Sequence, residues 1–208
     1  MKKEEKKENI RKGLLKLCII SIVLFIFLTF LISKPTIVVK FDLFISKKIM
    51  NVYHPILNNI MLFITNLGGT LVLTILTISL GVFFLFKKKY KNFLLISISM
   101  TLGLITELFL KYFIHRIRPY DTILDFTRFS FPSGHSEMSL IFFTIFALTM
   151  KDYLKNKKLR KIFIMINIIL IILIGFSRIY LNAHWFSDVI AGYLLGIFFL
   201  SLTYLLVM

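Results

Sequence analysis

The sequence predicts an all-α polytopic membrane protein: a bundle of about six transmembrane helices, with interfacial helices between the first and the second. Three observations lead there. Of the 208 residues, 58% are hydrophobic and the mean hydropathy is +0.85, more apolar surface than a soluble domain of this size carries. The apolar residues fall into six runs almost free of charge, near the length of about 20 residues that a helix needs to cross a bilayer. The runs do not alternate, as barrel strands would, and lipid leaves only helices or closed barrels able to satisfy the backbone.

Residues 1–12 are rich in Lys and Glu and are expected to be a disordered cytoplasmic tail. Residues 13–208 then form a single transmembrane domain. The first run, 14–33, has the charged and apolar regions of a signal peptide. It is too long and lacks a small-residue cleavage site, so it reads as a span. Cys18 lies within it and, as the only cysteine, serves as a small apolar side chain. Residues 35–69 interleave apolar positions with Lys40, Asp42, Lys47, Lys48 and Asn58. That suits interfacial amphipathic helices better than a span; a loop with some helical character is the alternative. The remaining spans are 70–86, 92–113, 136–150, 162–176 and 185–208. No internal repeat divides them.

The net charge of +16 is unevenly placed: seven Lys/Arg lie in residues 1–16, four in 87–91 and six in 151–161. Pairs of spans separate these stretches, so they share one side, which the positive-inside bias makes cytoplasmic. Both termini are therefore expected on the cytoplasmic side. The same charge suits anionic lipid headgroups. Aromatics interleaved on a solvated basic face, the mark of nucleic-acid binding, are missing, so no nucleic-acid partner is expected.

Three polar islands, 111–119, 132–135 and 178–188, sit at the ends of spans and fall together on the opposite, outer side. Ionisable groups at membrane depth are costly, and clustering them there points to function. In the first island, Lys111 and Arg118 project from nearly one face if the helix continues. They could clamp a phosphoryl group, while Glu107 steadies Lys111 as an i,i+4 pair. Arg116 reads as a basic residue snorkelling to the interface. In the second island, Ser133 is placed to cap a helix, and Gly134 leaves room for a ligand beside the free amides of a helix start. His135 follows in the first turn, and Glu137, an acid favoured by the dipole there, reads as structural capping, with tuning of His135 as the alternative. In the third, His184 and Asp188 stack four residues apart, so that the carboxylate could hold one imidazole nitrogen and leave the other free to attack. Arg178 could fold back over the same anion.

Taken together, Lys111-x6-Arg118-Pro119, Pro132-Ser-Gly-His135 and Ser177-Arg178-x5-His184-x3-Asp188 resemble, in order and spacing, the three-part signature of the type 2 phosphatidic acid phosphatase superfamily. The resemblance covers roughly residues 55–205. It implies that His184 attacks phosphorus to form a phosphohistidine and that Asp188 orients it. His135 would protonate the leaving oxygen and then activate water. Lys111, Arg118, Arg178, Ser133 and the Gly134 amide would bind the phosphate. Asn182 and Phe186, which vary around the signature, would shape the headgroup site. No cofactor is expected and no metal: Asp121, Asp125 and Asp188 are too scattered for a two-metal clamp, and the first two read as solvated loop charges.

The expected partners are a lipid phosphate substrate and the surrounding membrane lipids. Tyr112, Tyr120, Tyr180 and Trp185 are spaced as interfacial anchors near the site. Substrates of similar bacterial proteins include undecaprenyl pyrophosphate, phosphatidylglycerophosphate and phosphatidic acid, the first two being favoured here. The competing reading is a transporter or flippase that binds lipid phosphates without cleaving them. Polar groups at span ends, rather than at the midplane between repeats, count against it. A haloperoxidase-like use of bound vanadate is remote for a membrane chain.

Overall fold

The computed structural model describes residues 2–34, 36–119 and 129–208. Among these are eight α-helices and no strand: α1 (Lys2–Ile32), α2 (Ile37–Met50), α3 (Pro55–Leu67), α4 (Thr70–Phe86), α5 (Tyr90–Ile114), α6 (Gly134–Met150), α7 (Lys157–Tyr180) and α8 (Phe186–Val207). Helix α1 runs through the first dozen residues from Lys2. Glu4 and Glu5 occupy its first turn, where the helix dipole favours acids, and Lys12 pairs with Glu8 at 2.8 Å. Residues 36–69 hold the two expected short helices. Pro55 opens α3 behind His54, whose ring accepts from the Ile56 N–H at 3.3 Å.

Five helical stretches are long and apolar enough to cross a membrane: Glu4–Ile32, Pro55–Phe86, Tyr90–Ile114, Lys157–Tyr180 and Phe186–Val207. The second of these joins α3 and α4 across Gly68 and Gly69. The sixth expected span is α6, at 17 residues about 25 Å long and so shorter than the hydrocarbon core. It compensates by burial, lying at the centre against α5, α7 and α8. Its approach to α8 depends on Gly192 and Gly196, four residues apart. A methyl on Gly196 would sit 3.1 Å from the Glu137 carbonyl, and one on Gly192 would strike the Ser133 carbonyl. Small residues at this spacing are how helices approach closely in lipid.

Phe84, Ile96, Phe131, Ile141, Ile174 and Leu195 fill the core. Ile19, Ile26, Phe27, Ile168 and Ile172 face outward, the arrangement of a bundle solvated by lipid chains. At one end of the bundle Lys91 reaches the Met208 carbonyl at 2.9 Å and Lys89 stands over the Tyr153 ring. The other end gathers the C-termini of α5 and α7, the N-termini of α6 and α8, and α2. Of the residues of α2, Asp42 alone is fully buried.

Candidate active site

All three polar islands meet at that second end. The first does not continue as helix. His115 adopts a left-handed conformation (φ 49°) that stops α5, and Pro119 disfavours helix at the residue before it. Arg118 therefore reaches the site from an irregular segment, not from the helix face that bears Lys111. The segment is fixed by Ser130, whose N–H donates to the Arg116 carbonyl at 2.8 Å. Lys111 pairs with Glu107 at 2.5 Å, as the spacing predicted.

His184 lies in the turn between α7 and α8, 2% exposed. Its backbone N–H and that of Ala183 donate to the Arg178 carbonyl at 3.1 and 3.0 Å. One guanidinium nitrogen of Arg118 lies 3.2 Å from His184 Nε2 and also donates to the Ala183 carbonyl. Arginine has only donors, so Nε2 accepts and a neutral ring carries its proton on Nδ1. Nδ1 faces Asp188 Oδ2 at 3.6 Å, within ionic reach but longer than a hydrogen bond. Burial holds the His184 imidazole well below its ordinary value, and the charges of Arg178, Arg118 and Lys111 push it the same way. The ring is thus an unprotonated base at neutral pH, with its lone pair aimed among cations. Burial also pushes the Arg118 guanidinium down to about 10, against the pull of Asp188 and Glu107; it keeps its charge.

Ser133 stands at the N-cap of α6 without a side-chain cap bond. Its N–H donates instead to the Asp188 carbonyl at 3.1 Å, tying the second island to the third. Gly134 is required for space: a methyl there would collide with the Glu107 carboxylate. His135 is in electrostatic reach of Arg178, His184, Lys111 and Arg118. Arg178 is 2% exposed and donates to Thr65 Oγ1 on α3 at 2.7 Å. From Gly134 and His135 a cavity of about 180 Å³ opens between α4 and α5, lined by Leu73, Thr74, Thr77 and Leu104.

Several expectations from sequence need correction. Arg116 does not snorkel. Its side chain is only 11% exposed and donates to Asp188 Oδ1 at 2.5 Å, Ser187 Oγ at 2.7 Å and Asp42 Oδ2 at 2.7 Å, because two buried carboxylates offer it more than the interface does. Asp188 consequently has three duties, pairing with Arg116, capping α8 through the Trp185 N–H at 2.9 Å, and facing His184. Glu137 caps nothing: it is fully buried, and neither carboxylate oxygen has a hydrogen-bond partner among the described residues. Tyr180 is no interfacial anchor, since its buried hydroxyl donates to Asn58 Oδ1 at 2.7 Å. Asn182 turns the chain with φ 52° and accepts from Ser46 Oγ at 2.8 Å. Tyr120, Asp121 and Asp125 lie outside the described residues. Thr65 and Asp42 were missed. Neither stands near the islands in sequence; the one available signal was an acid within an apolar amphipathic segment.

The profile of the PAP2 superfamily matches residues 92–208. The chain belongs to the PAP2 superfamily. It is 34% identical over 183 residues to phosphatidylglycerophosphatase B of Bacillus subtilis, covering 83% of this chain and 88% of that one. It is 28% identical over 147 residues to undecaprenyl-diphosphatase of Sulfolobus acidocaldarius, covering 67% and 66%. The crystal structure of a transmembrane PAP2 type phosphatidylglycerolphosphate phosphatase from Bacillus subtilis superposes with a TM-score of 0.81 at 29% identity, over 89% of this chain and 93% of that one. The PAP2 fold, the multi-pass membrane character and the enzyme class of a lipid phosphate phosphatase follow.

Proposed function

We propose that this PAP2 phosphatase hydrolyses a phosphomonoester or pyrophosphate of a membrane lipid through a phosphohistidine on His184. The observation that carries the reading is the contact of Arg118 with His184 Nε2 in a buried pocket that Lys111 and Arg178 also charge. An oxyanion there would meet cations and a nucleophilic lone pair at once. In the first step Nε2 forms a bond to phosphorus while the bond to the lipid oxygen, or to the outer phosphate's bridging oxygen, breaks. His135 supplies the proton that this oxygen takes. In the second step His135 removes a proton from water, the water oxygen bonds to phosphorus, and the P–N bond breaks, releasing inorganic phosphate. Asp188 orients the imidazole and balances its charge when phosphorylated. Lys111, Arg118, Arg178, Ser133 and the Gly134 amide hold the equatorial oxygens, whose charge is most of what phosphoryl transfer asks a protein to stabilise.

The cavity between α4 and α5 favours a lipid over a soluble ester, since it joins His135 to a mostly apolar lining that includes Leu73, Ile78, Met100 and Leu104. The named relatives act on phosphatidylglycerophosphate and undecaprenyl diphosphate, and these are the substrates proposed here. The basic stretches at the far end of the bundle support a site on the side away from the cytoplasm. Purified protein should release phosphate from these lipids without added divalent metal, and vanadate should block release. His184→Ala should lower turnover at least about a thousandfold, a loss of the size expected for an essential nucleophile. Undiminished release by His184→Ala would overturn the mechanism, and binding of lipid phosphates without release by the intact chain would favour a transporter.

A further inference from the structure

We propose that Asp42 is a positioning residue for catalysis, and that α2 is a strap holding the turn that bears the nucleophile. The inference rests on the reading of His184 as that nucleophile. Asp42 is 1% exposed, an acid turned inward from a helix whose other side shows Ile37, Phe41, Phe44 and Lys40 to the exterior. Both its oxygens are engaged at the start of α8. Oδ1 accepts from the Ser187 N–H at 2.9 Å, and Oδ2 accepts from Ser187 Oγ at 2.5 Å and from Arg116 at 2.7 Å. The other guanidinium nitrogen of Arg116 holds Asp188 at 2.5 Å. One turn further along α2, Ser46 donates to Asn182 at the opposite end of the same turn. The strap therefore grips residues 182 and 187, and His184 lies between its two grips.

A cation shared by two carboxylates leaves each of them more negative than a private pair would. Asp42 takes part of the Arg116 charge, so Asp188 keeps more of its own for the imidazole. Among the described residues, the charged groups that bear on His184 are Lys111 from α5, Arg118 from the segment after it, His135 from α6, Arg178 from α7 and Asp188 from α8, with Arg116 acting through Asp188. Five of these are cations or become so, and Asp188 is the one acid. Removing Asp42 would leave the Arg116 charge less balanced and make the imidazole a poorer base and nucleophile.

Asp42→Asn tests this in the full chain purified in detergent, with dioctanoyl phosphatidic acid as probe, beside Asp42→Glu, Lys40→Gln and His184→Ala. The expected result for Asp42→Asn is a fall in kcat of about thirtyfold with KM changed less than about threefold. The acid limb of kcat/KM should move down by about half a unit, the direction set by an uncompensated cation. Asp42→Glu should recover part of kcat, and Lys40→Gln should match the parent. A merely structural role would loosen the site and admit water, moving that limb upward toward the ordinary imidazole value. An upward shift, or a kcat within twofold of the parent, overturns the proposal. Should Asp42→Asn not fold, Ser187→Ala removes the hydroxyl that links Asp42 Oδ2 to Arg116 while leaving the backbone bond and both charges in place, and an unchanged kcat there overturns the strap. Activity in His184→Ala would refute the nucleophile itself; inactivity there with an unaffected Asp42→Asn would refute only the strap.

Discussion

His184, the proposed nucleophile, has no strong base beside it. Among the described residues the carboxylate that faces the ring, on Asp188, is 3.6 Å from Nδ1, so the ring's neutrality does not depend on a tight hydrogen bond to it. Burial and the three cations Arg178, Arg118 and Lys111 exclude the proton instead. The sign follows directly. A group held below its ordinary value stays deprotonated on acidification until the pH passes its own lowered value, so the free enzyme keeps its attacking lone pair through the range in which an ordinary imidazole, near about 6.5, would lose it. Because kcat/KM reports the free enzyme, its acid limb should lie below about pH 6.5 when profiled from about pH 4.5 to about pH 8. A limb at or above about 6.5 would mean that the pocket is wetter than the buried ring implies. Arg118 cannot produce such a limb, since it keeps its proton until about 10.

Among the elements, α6 brings the chemistry together, and its seating is set by what its neighbours lack. Gly134 has no methyl to strike Glu107, and Gly192 and Gly196 have none to strike the α6 backbone. Gly134→Ala should displace the Glu107 carboxylate and with it Lys111, at an overpacking cost of about 1–3 kcal/mol. Activity should fall about tenfold or more while the helical circular dichroism is unchanged; a variant as active as the parent would show that Glu107 has room to move. Much of this level was legible in the sequence. The apolar runs returned as helices because lipid permits little else, and the island spacings returned as one site because each island ends a span. Helix-local pairings such as Glu107–Lys111 were legible for the same reason. The contacts of Arg116 were not, because its partners Asp42 and Ser187 stand 74 and 71 positions away and no local period signals them. The break at His115 was hidden because the seven-residue spacing of Lys111 and Arg118 fits a helix equally well.

At the scale of the whole molecule, the two ends of the bundle differ in kind. One gathers buried, hydrogen-bonded charge around His184; the other carries solvated lysines on the turns after α4 and α6. The first kind of charge could face either compartment. The second kind resists translocation, so it decides which way the bundle sits. Orientation is therefore measurable apart from catalysis. Cys18 is the single cysteine and is buried in α1, so a Cys18→Ser background gives a silent chain. In it, Lys88→Cys and Asn156→Cys, both exposed, should react with an impermeant maleimide only after the cells are opened. Tyr112→Cys and Ile117→Cys, 72% and 67% exposed beside the candidate site, should react in intact cells. The reverse pattern would put phosphate release in the cytoplasm, and the substrate would then have to be a lipid displaying its phosphate on the inner leaflet.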